Sequence, residues 1–298
     1  MGNMKYIDIH CHLDSRDYDS DREEVLARMR EKEVGAIIIG TDLKSSKRAV
    51  EIAESNENVW ATIGAHPVKE IEVSHGAGPE TSLNVREVET NSPGELFNEK
   101  EFEKLAASPK VVGIGECGLD YFGRRSLGEG GLSEENKKAQ KKLFESQIRF
   151  AIKHDKPLML HVRNAYEDIF DILENYKKDA GEKLRGNVHF FAGDVSVAKK
   201  FLDLGFTMSF TGVITFLPRR SFAEAGAHDY NEVIKYIPQN SIMSETDAPF
   251  IAPVPYRGKR NEPAYVIEVV KKMAEIRGEN ADTLNRAIIN NAKRVFSI

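Results

Sequence analysis

The sequence predicts a TIM-like (β/α)8 barrel, an α/β fold built as a single domain over residues 1–298. Three observations carry that expectation. Short apolar runs alternate with amphipathic stretches along the chain, as β-strands alternate with helices in such a barrel. The length of 298 residues is common for one barrel, although it would also allow two smaller domains. Several of the apolar runs also close on a His, Glu or Asp, at the end where barrel strands meet the mouth.

The first strand is Tyr6 to His12. Ile7 and Ile9 alternate there with polar residues, and a period of two puts His10 and His12 on one face with Cys11 on the other. Asp19, Ser20 and Asp21 offer caps for a helix from Arg22 to Glu33, whose apolar stripe is Val25, Leu26 and Met29. Gly35 stops that helix, and Ala36 to Thr41 follows as a continuous apolar run, the mark of a strand covered on both faces. A helix over Lys44 to Asn56 and a third strand over Val59 to His66 continue the alternation.

Between Val68 and Asn98 the rhythm breaks. The stretch is rich in Glu, Gly, Ser, Thr, Asn and Pro and is too long for an ordinary connection. Glu70 to Val73 and Leu83 to Val88 alternate on either side of Gly76-Ala77-Gly78-Pro79, which predicts a small hairpin inserted on one barrel loop, with His75 facing solvent. Its acidic bias (Glu70, Glu72, Glu80, Glu87, Glu89 and Glu95 against Lys69 and Arg86) would repel duplex DNA from the mouth more than a thin single strand.

Strand four is predicted over Lys110 to Glu116, and Gly123 to Leu132 is a glycine-rich loop. Ser133 then caps a long helix to about Lys153. Pro157 to Arg163 is strand five, Ala165 to Tyr176 a helix, Asn187 to Phe191 strand six, Ser196 to Leu204 a helix and Phe206 to Phe210 strand seven. A helix precedes Pro238, strand eight covers Ser241 to Asp247, and helices over Pro263 to Arg277 and Ala281 to Phe296 close the chain.

Composition narrows the function classes. Charged residues are 30% and hydrophobic ones 41%, ordinary for a soluble protein with a sizeable core. No apolar run could span a bilayer, no signal-peptide pattern is seen, and two cysteines cannot make a disulfide framework, so a cytoplasmic location without membrane association is expected. A net charge of −5 argues against electrostatic coating of duplex DNA but allows local recognition of an anion. The sequence does not indicate an oligomeric state.

Reading the strand ends gives His10, His12, Glu116, His161, His189 and Asp247. Six metal-competent side chains at the same relative position on five strands point to a metal site. Cys11 and Cys117 neighbour these residues, but strand alternation turns both toward the helix layer as small apolar residues. By the same parity Asp8 and Glu245 point inward one layer below His10 and Asp247, close enough to orient them.

The chain resembles the TatD-like metal-dependent DNases of the amidohydrolase superfamily. The resemblance runs from Ile7-Asp8-Ile9-His10-Cys11-His12 to Asn291-Ala292-Lys293-Arg294-Val295-Phe296. Between them lie Gly64-Ala65-His66-Pro67, Gly113-Ile114-Gly115-Glu116-Cys117-Gly118-Leu119-Asp120-Tyr121 and Pro157-Leu158-Met159-Leu160-His161-Val162-Arg163. The most specific marker is Glu245-Thr246-Asp247-Ala248-Pro249, followed by Arg257-Gly258-Lys259-Arg260-Asn261-Glu262-Pro263. Two departures stand out: Val68 replaces a polar or acidic residue often found after His66-Pro67, and Phe190 stands where a cysteine is common.

The resemblance implies two divalent metal ions bridged by Glu116, with His10, His12 and Asp247 on one and His161 and His189 on the other. Asp247 would orient or deprotonate the attacking water, and His66, Tyr121, Arg163 and Arg257 would bind substrate. Four imidazoles favour zinc, manganese or iron, whereas the family is usually described as magnesium-dependent, so Mg, Mn and Zn all stay open. The implied activity is a 3′–5′ exonuclease acting on single-stranded or frayed DNA ends, with RNA as a possible substrate. Hydrolysis of another ester or amide, such as that of a D-aminoacyl-tRNA, and a non-catalytic binding module are the alternatives.

Overall fold

The computed structural model describes residues 4–68, 97–122, 132–216 and 230–298. Most of the expected insertion (69–96, with its hairpin and His75) and most of the glycine-rich loop (123–131) lie outside the described residues.

Eight parallel strands form one sheet in sequence order: β1 (Tyr6–Cys11), β2 (Val34–Ile39), β3 (Val59–Ile63), β4 (Val111–Asp120), β5 (Leu158–Arg163), β6 (Gly186–Val188), β7 (Phe206–Phe210) and β8 (Ile242–Ser244). The last strand meets the first. Cys11 and Ala248 form a parallel bridge, Asp247 N donates to His10 O at 2.9 Å, and His12 N donates to Ala248 O at 2.7 Å. The TIM-like barrel expected from the sequence is the observed fold.

The helices are α1 (Arg22–Glu31), α2 (Leu43–Glu54), α3 (Glu99–Ala106), α4 (Glu134–Lys153), α5 (Tyr166–Ala180), α6 (Val195–Asp203), α7 (Tyr230–Tyr236), α8 (Val266–Arg277) and α9 (Ala281–Phe296). Their starts are fixed by the residues the sequence offers. Asp42 and Ser45 form a reciprocal capping box on α2, and Ser133, Asp194 and Asn280 accept first-turn amides of α4, α6 and α9. Helix α9 covers the N-terminal end of the barrel. Its Asn285 donates to Lys5 O before β1 and its Asn291 to Ile242 O at the start of β8, while Leu284, Ile288, Ala292 and Phe296 are buried. None of the described helices is long and apolar enough to cross a membrane.

Several boundaries differ from expectation, and one helix was not expected. Strand β4 runs on to Asp120 because the chain absorbs a register shift between Ile114 and Cys117 instead of ending there. Strand β8 stops at Ser244; Glu245 N still reaches Phe210 O of β7, and Asp247 and Ala248 then bond to the β1 side. Helix α3 was not expected; its buried side chains, Phe102 and Ala106, are too few to stand out as a helical period beside the insertion.

Close packing around the β4 irregularity depends on glycine. Gly118 has φ of +140°, and a Cβ there would lie 2.0 Å from His161 O on β5. Gly118→Ala is therefore expected to cost about 3 kcal/mol of stability, combining a disfavoured φ with a backbone clash. Gly278, left-handed at φ of +65° and ψ of +30°, has nothing within 4 Å of an added Cβ, so Gly278→Ala should cost only about 1 kcal/mol. Urea unfolding of both variants checks this, and equal losses would contradict the packing account.

Candidate metal centre

All six residues read from the strand ends meet at the C-terminal mouth. Glu116 lies within β4 and His161 within β5; His10 is in β1 and His12 one residue past it. His189 stands one residue beyond β6, and Asp247 three beyond β8 with φ of +56°, a conformation Asp tolerates better than most residues. The backbone bond to His10 O holds Asp247 in that turn.

Glu116 faces both halves of the cluster. Its Oε2 lies 3.5 Å from His10 Nε2 and 3.9 Å from His12 Nε2, and those nitrogens are 3.7 and 3.5 Å from Asp247 Oδ1. Its Oε1 lies 2.8 Å from His161 Nδ1, 2.8 Å from His189 Nε2 and 3.4 Å from His66 Nε2. Among the described residues three groups could hold a cation: His10, His12 and Asp247; His66, Glu116 and His161; and, deeper, His10, His189 and Glu245. His66, expected only to bind substrate, thus turns toward Glu116, with Nδ1 2.7 Å from Val68 O.

The electrostatics favour cations here. Burial alone would raise the Glu116 carboxyl, yet His189, His66, His10 and His161 hold it well below the usual range. Burial, reinforced by neighbouring His189, pushes His10 down to about 3 and keeps it neutral. Burial also opposes charge on His12 and His161, but Asp247, Glu116 and Asp14 lift His12 to about 10. Asp120 and Glu116 likewise lift His161 to about 9. The carboxylates thus draw protons onto His12 and His161.

The residues fit a divalent cation. His10 is fully buried, and neither of its ring nitrogens has a hydrogen-bond partner among the described residues. A neutral imidazole nitrogen aimed between two carboxylate oxygens at 3.5 and 3.7 Å is too far for a good hydrogen bond. Two ligands each about 2.1 Å from one cation stand roughly 3.0 to 3.5 Å apart, close to that spacing. Mixed imidazole and carboxylate donors suit zinc, manganese or iron better than magnesium.

Buried partners hold the ligand-bearing segments, and several escaped the sequence reading. Asp120 Oδ2 is 3.0 Å from His161 Nε2, orienting that ring from the side away from Glu116. The parity that selects Glu116 on its strand also selects Asp120, but only when the strand is carried past Glu116. Gln140 and Gln147, seven apart on the inner face of α4, each pin one residue's backbone. Gln140 bonds Asp120 N and O, while Gln147 bonds Ala65 N and O beside His66. Asn261 donates to Thr246 O, and its own carbonyl accepts from Tyr18 Oη, which fixes the loop carrying Asp247.

Asp8 and Glu245 are buried below the ligands, each with its own donors. Asp8 accepts from His10 N and Thr246 N, joining β1 to the segment after β8. Glu245 accepts from Phe190 N and Ser209 Oγ, with Oε1 3.8 Å from His189 Nδ1. Burial lifts Asp8 to about 7 and Glu245 well above the carboxylate range. Cys11 and Cys117 are buried with their thiols on backbone carbonyls, away from the ligands.

The expected substrate groups lie farther out. Arg163 and Arg257 are exposed, and each guanidinium lies on an aromatic ring: Arg163 Cζ 3.7 Å from the Phe122 centroid, Arg257 Cζ 4.1 Å from that of Phe216. Tyr121 Oη donates to Asp168 Oδ2 at 2.7 Å, so its hydroxyl is engaged outside the cluster.

Comparison with known proteins shows the family. The family described as TatD related DNase matches residues 7–297. An uncharacterized metal-dependent hydrolase of Bacillus subtilis, YabD, is 35% identical over 98% of each chain. The Pantoea ananatis protein named 3′-5′ ssDNA/RNA exonuclease TatD is 31% identical over 98% of this chain and 99% of its own. The crystal structure of YjjV, a TatD homologue from Escherichia coli, superposes with a TM-score of 0.76 at 27% identity, covering 99% of this chain and 98% of that one.

The proton balance predicts how a cation acts on stability. The raised values of His12 and His161 stabilise the metal-free fold below the ordinary imidazole range of about 6.5. That contribution is lost as pH rises through about 9 and 10. A bound cation must displace those protons, so its own effect should grow over the same window. Mn2+ at a hundred times its Kd should add about 2.7 kcal/mol. The gap in Tm between Mn2+-treated and chelator-treated protein should be wider near pH 9 than near pH 6.5; no gap at either pH would contradict the cation site.

Proposed function

The chain belongs to the TatD-related DNase family of metal-dependent hydrolases, and we propose that it removes nucleotides from single-stranded or frayed nucleic-acid ends as a 3′–5′ exonuclease. The observation that carries this reading is the two-sided contact of Glu116, one oxygen toward each histidine group at the barrel mouth. The similarity to a protein named as an ssDNA/RNA exonuclease supports the choice of substrate.

In this reading His10, His12 and Asp247 would hold one cation, His66, His161 and His189 would face a second, and Glu116 would serve both. Divalent cations bound there would supply the Lewis acidity that lowers the pKa of an attacking water and offsets charge on the phosphoryl oxygens.

The chain's own groups do the rest. Asp247 is the least buried of the central carboxylates, with its side chain 15% exposed against 5% for Glu116, so water can reach it. It takes the water's proton as attack proceeds. His10, neutral and buried, keeps its lone pair directed between Asp247 and Glu116. Arg163 and Arg257 present the edges of their guanidinium forks to phosphate oxygens while their faces rest on Phe122 and Phe216. Those positive groups are local, which reconciles a polyanionic substrate with a net charge of −5.

The discriminating experiment presents the Mn2+-loaded protein with single-stranded DNA, blunt duplex, RNA and an aminoacyl-tRNA ester. Stepwise loss from the 3′ end of the single strand is expected; cleavage of the ester alone would overturn the nuclease reading. Within that assay, Asp247→Asn should lower kcat by about 10²- to 10⁴-fold with its folded far-UV spectrum retained. A wild-type kcat at saturating metal would remove Asp247 from the proton transfer.

A further inference from the structure

A cleft of about 590 Å³ opens beside the metal centre, walled by Tyr121, Asn164, Lys137 of α4, Tyr166 and Phe170 of α5, and Lys200 of α6. It begins one residue from the cluster. Tyr121 follows Asp120, which bonds His161, and Asn164 follows Arg163 at the end of β5. Its walls combine aromatic faces with ammonium groups: Lys137 Nζ stands 5.4 Å from the Tyr121 ring centroid and Lys200 Nζ 5.0 Å from that of Phe170.

The charges in the cleft are unevenly committed. Asp168 is engaged by Tyr121 Oη and Lys141, both at 2.7 Å, and Lys137 bonds Glu134. Glu167 is exposed on the outer wall. Lys200 is exposed and has no ion pair among the described residues, so its charge is available to an anion. Aromatic faces next to an ammonium group without an ion pair among the described residues, in a cleft whose wall residue Tyr121 directly follows Asp120, match a nucleoside phosphate.

We propose that this cleft seats the nucleotide adjoining the scissile phosphate, its base against Tyr121 and Tyr166 and its phosphate against Lys200. The inference rests on the nuclease reading and supplies a source for strand preference. A base can enter the cleft only if it is unstacked and unpaired, which a single strand allows and a blunt duplex resists.

The test compares two substrates in Mn2+: oligo(dT) ten residues long, and bis(p-nitrophenyl) phosphate, which has a phosphodiester but no adjoining nucleotide. Lys200→Ala and Tyr166→Leu should each raise KM for the oligonucleotide about tenfold. Both variants should turn over the small diester within about twofold of wild type, and Lys200→Arg should restore most of the oligonucleotide KM. Equal losses on both substrates, or an unchanged oligonucleotide KM, would overturn the subsite. Fluorescence anisotropy of labelled oligo(dT), with Ca2+ in place of Mn2+, separates the subsite from the activity. If wild type binds the oligonucleotide and both variants lose about tenfold, the cleft stands even when neither substrate is cleaved. If wild type does not bind it, the cleft assignment is wrong whatever the activity.

Discussion

Glu116 places a carboxylate, 4% exposed, among His10, His12, His66, His161 and His189. An ionised carboxylate can be buried only where opposite charge or hydrogen bonds replace the lost water, and its neighbours here are all imidazoles. That requirement organises the mouth. The imidazoles reach Glu116 from the ends of four strands, two of them from β1, so the closed order of β1 to β8 assembles the group. The register shift in β4 carries Glu116 into the centre, and Gly118 admits β5 close enough for His161 to reach it.

Much of the support beneath this group comes from buried side chains that bond backbone. Gln140, Gln147 and Asn261 each satisfy polar backbone atoms at a point where the chain leaves regular strand pairing. Asp8 does the same between β1 and Thr246. Such partners fix ligand-bearing segments to within the tolerance a metal site needs. The rim differs: Arg163, Arg257 and Lys200 are exposed and rest on aromatic faces, which leaves them free to adjust to a substrate. A rigid centre with adjustable cations around it suits a reaction at one phosphate of a flexible chain.

Much of this was legible in the sequence because barrels repeat one rule. A strand's period of two and the position of its last residue decide which side chains enter the mouth, so His10, His12, Glu116, His161, His189 and Asp247 could be read without coordinates. The same rule failed where pairing was irregular. Asp120 is missed because the apolar run of strand four is ended at Glu116, whereas the strand absorbs Gly118 and runs on to Asp120. His66 enters with the resemblance as a substrate group, and its approach to Glu116 depends on where β3 ends relative to β4. Gln140 and Gln147 sit on the inner face of an ordinary amphipathic helix, and nothing local separates a glutamine that pins distant backbone from one that faces solvent. The Arg163–Phe122 and Arg257–Phe216 stacks join residues far apart in sequence, and only the fold brings them together.

The central claim is that Glu116 is shared between two cation positions, one toward His10, His12 and Asp247 and the other toward His66, His161 and His189. Anomalous diffraction from crystals soaked in Mn2+ tests it most directly. Two peaks on opposite sides of the Glu116 carboxylate are predicted, each against its own histidine group. A single peak away from Glu116, or none at saturating metal, would contradict the account.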